Sequence, residues 1–294
     1  MAHCVEVDSL SKHYRDFLLD AVSFVVPEGT VMGLVGENGA GKSTVIRLIL
    51  GAIKRDAGKV KLFGTEWETR VPNAIKDQIG VVFDDCYFPV SLSPNQLGWT
   101  LSSIYRQWDS ILFGQLLSRF DVPGDKKIKE LSRGNKMKLS IVCALSHRPK
   151  LLVLDEPTGG LDPVVRTEVL DMFQTFMEDE RHSIIFSSHI TTDLERIADY
   201  VTFIHKGKII LSETKDDLLD RYGLFKGPRD QIEHIEKGDF VSVRVNRYGL
   251  EALSSDKEHT MRTYPQLICD QASIDDILYH LTSDQSRTRE DVAL

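Results

Sequence analysis

Short runs rich in Val, Ile and Leu recur along the chain, separated by stretches whose apolar residues return every three or four places. The runs are VMGLV (31–35), IGVVF (79–83), LLVLD (151–155), SIIFSS (183–188) and VTFIH (201–205). A strand apolar on both faces has to be covered on both faces, and helices between successive strands provide that cover. The pattern therefore predicts a buried, mostly parallel sheet in an α/β fold. Nearer the start, VEVDSLS (5–11) and LDAVSFVV (19–26) alternate apolar with polar positions. That is the pattern of an antiparallel sheet lying over one edge.

Residues 93–148 read differently. Long helical patterns dominate, including LGWTLSSIYRQWDSILFGQLLSRF (97–120), and no strand stands out, which predicts an inserted helical subdomain. In PVVRTEVLDMFQTFM (163–177), Val165, Val169, Phe173 and Phe176 share one helical face and are expected in the core. From 214 onward the character shifts to scattered strand signals such as FVSVRV (240–245) and a helical SIDDILYHLT (273–282). A polar tail, SDQSRTREDVAL (283–294), is expected to fray. The length of 294 residues accommodates one large domain or a large and a small one, and the shift places a boundary between 1–213 and 214–294.

Composition narrows the partners. Lys and Arg number 36 against 44 Asp and Glu, and no basic block occurs, so nucleic acid is disfavoured as the main partner. Cys4, Cys86, Cys143 and Cys269 form no CxxC pair, so neither a zinc site nor a disulfide framework is expected, and a reducing cytosol fits. The first residues lack the build of a signal peptide, and no apolar run approaches the ~20 residues that span a bilayer. Any membrane role then runs through a partner.

Four motifs carry chemistry. GENGAGKST (36–44) matches GxxxxGK[ST] between a predicted strand and a predicted helix. Gly36, Gly39 and Gly41 let the backbone turn so that its amides surround phosphates, with Asn38 and Thr44 in the same cradle. Lys42 can bridge phosphates and Ser43 can ligate Mg²⁺. LLVLDEP (151–157) ends a strand at Asp155 with Glu156 next, a pair that serves either a metal and an attacking water or simply as two solvated acids. His189, after SIIFSS, reads alone as a phosphate contact or as a structural histidine. LSRGNKMKLS (131–140) places Ser132 and Gly134 at a predicted helix start, a second place where amides attract an anion.

Phosphate loop, LSRGN, LLVLDEP, GGLD and SSH, in that order, resemble the ATP-binding subunits of ABC transporters over about residues 1–213. The resemblance implies a P-loop ATPase that uses ATP and Mg²⁺. In it Asp155 holds the metal, Glu156 orients or deprotonates water, and His189 reaches the γ-phosphate. It further implies that Tyr14 stacks on adenine and that Asp162 lies in a loop crossing a dimer interface. Two such subunits pair head to tail, as a homodimer or a similar heterodimer, so that Ser132 and Gly134 of one close over ATP held by the other. An integral-membrane permease is the further partner, at the cytoplasmic face of a bacterial membrane.

Two places, the LSRGN motif and Asp84, depart from the family pattern. Arg133 and Asn135 stand in LSRGN where LSGGQ is usual, and Arg133 is expected either to add a cation near the interface or to turn to solvent. Asp84 stands where a glutamine usually links metal, water and permease; it could bind metal through water or merely cap its turn. LSRGNKMKLSIVCALSH further resembles a bacterial exporter branch that includes the phenol-soluble modulin peptide exporters. The alternatives are a soluble ABC-type ATPase uncoupled from transport and a regulatory module that holds ATP.

Overall fold

The protein is described here by a computed structural model covering residues 2–282. The chain divides into two compact units, one ending at Ser212 and the other beginning at Glu213. The polar tail 283–294 lies outside the described residues.

The first unit opens with β1 (His3–His13), β2 (Leu18–Pro27), β3 (Val31–Val35), α1 (Lys42–Ile49), β4 (Ala57–Leu62), β5 (Thr65–Glu66) and α2 (Asn73–Lys76). It continues with β6 (Ile79–Val82), α3 (Pro94–Ser102), α4 (Ser110–Arg119), α5 (Arg133–Leu145), β7 (Leu151–Asp155) and α6 (Pro163–Phe176). It closes with β8 (Ser183–Ser188), α7 (Thr191–Ile197), β9 (Tyr200–His205) and β10 (Lys208–Thr214), whose last two residues pass the boundary at Ser212. Strands β10-β9-β3-β8-β7-β6 form one sheet, and β2-β1-β4-β5 form another. The first unit is thus an α/β fold, a mostly parallel core sheet with an antiparallel sheet beside it, as the apolar runs predict.

The apolar runs explain the core. β3, β7 and β8 are buried along their whole length, because helices and the second sheet cover both of their faces. Val5, Leu10, Leu19, Val60 and Leu62 of the antiparallel sheet pack with Ile46 and Ile49 of α1 and with Val153 and Ile185 of the parallel strands. Parallel register aligns Val35 with Ser188, and Asp155 with Ser187. The loops leaving β3, β7 and β8 thus emerge side by side at the carboxyl edge, where α/β sheets place ligands.

Two helical expectations are corrected. The periodic stretch 97–120 is two helices, because the chain leaves the helix at Ser102 and re-enters at Ser110. Asp109 caps α4 by accepting the Leu112 amide at 2.8 Å and binds the Arg148 guanidinium at 2.6 Å. Tyr105 meanwhile stacks on His147 at 4.2 Å. A side-chain cap and a stacked ring at the break outweigh the continuing periodicity. In α6, Val169, Phe173 and Phe176 are buried as expected, but Val165 is only half-buried and lies against Gly134.

The second unit contains α8 (Lys215–Arg221), β11 (Gly223–Gly227), β12 (Ser242–Asn246), β13 (Gly249–Ser254), α9 (Lys257–Thr263), β14 (Ile268–Gln271) and α10 (Ile274–Thr282). Its sheet, β12-β13-β11-β14, has its own core around Phe225, Phe240, Leu250, Tyr264 and Leu267. Among the described residues no helix is long and apolar enough to cross a membrane.

Candidate active site

The loop between β3 and α1 is held by close backbone approach. A Cβ on Gly36 would lie 2.2 Å from the Ile204 carbonyl oxygen of β9, so only glycine lets the loop pass. Gly39 and Gly41 take φ of 82° and 116°, and Asn38 and Gly39 are exposed while Thr44 is half-buried. Gly41 provides no side-chain cap for α1, so the first amides of that helix stay available to an anion.

Lys42, only 5 % exposed, donates from Nζ to the carbonyl oxygens of Gly36 at 2.8 Å and Glu37 at 3.2 Å. The same Nζ lies 3.1 Å from Glu156 Oε1. The other carboxylate oxygen, Oε2, is 2.6 Å from His189 Nδ1. Glu156 is therefore gripped between a cation and an imidazole. Its backbone adopts φ 51°, a left-handed conformation costly for a non-glycine residue, so its surroundings must hold it there.

Part of that hold comes from Ser187, whose Oγ accepts the Glu156 amide at 3.0 Å and donates to Asp155 Oδ1 at 2.8 Å. Ser43 Oγ donates to the same Asp155 oxygen at 3.0 Å. Burial pushes the Asp155 carboxyl above the ordinary carboxylate range, the hydrogen bonds from Ser187 and Ser43 pull it down, and the charges of Asp84 and Glu156 add to the rise. Sequence reasoning missed Ser187, since a serine ending an apolar strand looks like the start of a turn. It also missed Asp193, 1 % exposed, which accepts from Thr158 Oγ1 at 2.7 Å and Arg166 Nε at 2.6 Å and so ties the loop after Glu156 to α7.

The remaining predicted residues sit around this cluster. Tyr14 is 47 % exposed in the turn between β1 and β2, with its ring 6.4 Å from that of Phe17. The Phe17 ring reaches Gly41, so an aromatic surface lies beside the phosphate loop. Lys12 Nζ is 5.8 Å from the Tyr14 ring centre. Ser132 caps α5 by accepting the Asn135 amide at 3.2 Å, and Asp162 caps α6 by accepting the Val164 and Val165 amides, both at 3.1 Å. Among the described residues no hydrogen bond or ion pair joins Tyr14, Ser132, Gly134 or Asp162 to Lys42, Ser43 or Glu156.

Both departures from the family pattern have partners within the chain. Arg133 neither stands free nor turns to solvent alone: its Nη2 donates to the Gly159 carbonyl at 2.8 Å. Asp84 does not cap its turn. Asp85 does so, accepting the Cys86 amide at 2.7 Å, while Asp84 receives the Tyr87 hydroxyl at 3.4 Å and lies near enough to Asp155 to act on its charge. Asp84, Asp85, Cys86, Arg133, Lys136 and Met137 line a polar cleft of about 370 Å³.

Comparison with known proteins gives the family of the chain. The ABC transporter family model matches residues 19–159. The lantibiotic transport ATP-binding protein SrtF of Streptococcus pyogenes is 32 % identical over 241 residues, spanning 76 % of this chain and 100 % of that protein. The bacitracin transport ATP-binding protein BcrA of Bacillus licheniformis is 30 % identical over 224 residues, covering 75 % of this chain and 73 % of the relative. A solved ATP-binding subunit of an ABC transporter superposes with a TM-score of 0.64 at 26 % identity, over 74 % of this chain and 92 % of that one. The chain belongs to the ATP-binding proteins of ABC transporters, and it is an ATPase subunit whose hydrolysis of ATP is coupled to transport.

Proposed function

We propose that this chain powers a bacterial exporter of peptides or other membrane-active compounds, similar to the phenol-soluble modulin peptide exporter ATPases, by closing and reopening as a pair. Residues 1–213 form the ATP-binding domain and 214–294 an accessory region. The observation that carries the reading is the convergence on Glu156: Lys42 at 3.1 Å, His189 at 2.6 Å, and Asp155 with Ser43 immediately beside it. The branch is supported by LSRGNKMKLS and by relatives named for lantibiotic and bacitracin transport.

Phosphoryl transfer needs positioning and charge stabilisation more than covalent chemistry from the protein. The loop amides and Lys42 hold the phosphates, Tyr14 stacks on the base, and phosphate oxygens draw Lys42 from Glu156. Glu156 Oε1 is then free to accept a hydrogen bond from the attacking water, while His189 steadies the other oxygen and the γ-phosphate. The Ser43 hydroxyl and Asp155 carboxylate are hard oxygen donors held side by side, a set that suits Mg²⁺, with Asp84 as a further candidate through water. When bound, Mg²⁺ supplies neutralising charge at the phosphates.

Among the described residues, the α5 start at Ser132 and Gly134 makes no hydrogen bond or ion pair with Lys42, Ser43 or Glu156 of its own chain. Ser132 and Gly134 are suited to closing over the γ-phosphate held by a second subunit, and Asp162 lies in the loop that meets it. Purification of the tagged chain from detergent-solubilised membranes tests the assignment. An integral-membrane permease is expected to co-purify and to raise ATP turnover; recovery with ribosomes or DNA and without a permease contradicts it.

A further inference from the structure

Arg133 and the loop between β7 and α6 are in contact from both sides. The guanidinium donates to Gly159 O and lies over Gly160, where a Cβ would come within 2.6 Å of Nη1 and 2.8 Å of Cζ. Gly160 has φ 67°, so the turn needs a residue that tolerates left-handed backbone, and the contact needs one without a side chain. One residue earlier, the Gly159 amide donates to the Glu156 carbonyl at 3.1 Å. The path from α5 to Glu156 is thus two hydrogen bonds long: Arg133 to Gly159, and Gly159 to Glu156.

The opposite flank of the loop is held as well, by Thr158 on buried Asp193. Between these two anchors Glu156 keeps its left-handed backbone. The asymmetry is informative. Asp193 is sealed in the interior, whereas Arg133 is exposed and sits on the first turn of the helix capped by Ser132. Exposed polar contacts contribute little to global stability, so this one leaves the fold nearly unaffected while still restricting a loop. What it restricts is the segment that carries Glu156.

We propose that Arg133 is a positioning residue for ATP hydrolysis: through Gly159 it fixes the loop that sets Glu156, and so links the helix start at Ser132 and Gly134 to the placement of the water-orienting carboxylate of the same chain. The proposal rests on the reading of Glu156 as that carboxylate. Misplacing a reacting group by about 1 Å costs up to ~10²-fold in rate, and a loosened loop with its other anchor intact costs less.

The test is a cycle on the full chain, measuring ATP turnover and KM for wild type, Arg133→Ala, Glu156→Gln and the double variant in saturating Mg²⁺. Arg133→Ala is expected to lower kcat about tenfold with KM for ATP within about twofold. In the Glu156→Gln background the same change is expected to alter the residual rate by less than about twofold, since nothing is left to position. Gly160→Asn, which tolerates the backbone but displaces the guanidinium, is expected to reproduce the fall in kcat.

An equal fall in both backgrounds, a raised KM instead of a lowered kcat, or wild-type kcat in Gly160→Asn overturns the proposal. Those outcomes leave the role of Glu156 standing. Wild-type turnover in Glu156→Gln alone would instead remove the reading beneath it.

Discussion

Glu156→Gln is expected to cut steady-state ATP turnover by about 10²-fold or more while ATP binding stays within about twofold of wild type. Glutamine keeps the length and planarity of the side chain, so the His189 contact and the loop geometry persist. It loses the charge that orients and deprotonates water. It also loses the ion pair with Lys42, which removes a competitor of the phosphates for that cation. Binding is therefore expected to hold or tighten as hydrolysis fails, a combination that simple misfolding does not produce. Equilibrium binding of ATP set beside phosphate release checks both halves, and turnover within about threefold of wild type would falsify the role given to Glu156.

Lys42→Ala is expected to act in the other order. Alanine removes the cation from a place where it is only 5 % exposed and leaves the Gly36 and Glu37 carbonyls without their donor. The phosphates lose a buried charge partner in both ground and transition states, so affinity for ATP is expected to fall at least about tenfold and turnover about 10²-fold or more. Titration with a fluorescent ATP analogue and phosphate release together test this. Unchanged affinity would mean that Lys42 does not touch the nucleotide.

Which parts of this were legible in the sequence follows from how local their causes are. β3, β7, β8 and β9 are readable because a doubly covered strand has to be apolar at nearly every position. The phosphate loop is readable because the turn, the cation and the hydroxyl sit within nine consecutive residues, 36–44. Ser187 is not: its importance arises only when parallel pairing sets it opposite Asp155. Arg133 on Gly159 depends on the starts of α5 and α6 lying together, which no local pattern encodes. The break between α3 and α4 was hidden by an apolar period that runs straight through it, although Asp109 is the kind of residue that starts a helix.

Asp155 illustrates a further limit. As a letter it is an acid at a strand end, one of many. Its burial, and the opposition between that burial and two hydroxyl donors, exist only in the assembled sheet. The same holds for Tyr14, whose place beside the phosphate loop depends on Phe17 reaching Gly41.

On the proposed reading each chain carries two incomplete halves of an ATP site. Sedimentation of the hydrolysis-blocked Glu156→Gln chain, with and without saturating Mg-ATP and in the presence of its permease, tests it most directly. A nucleotide-dependent species containing two ATP-binding chains is expected, abolished by also changing Lys42 to alanine. A single chain at every nucleotide concentration would contradict it.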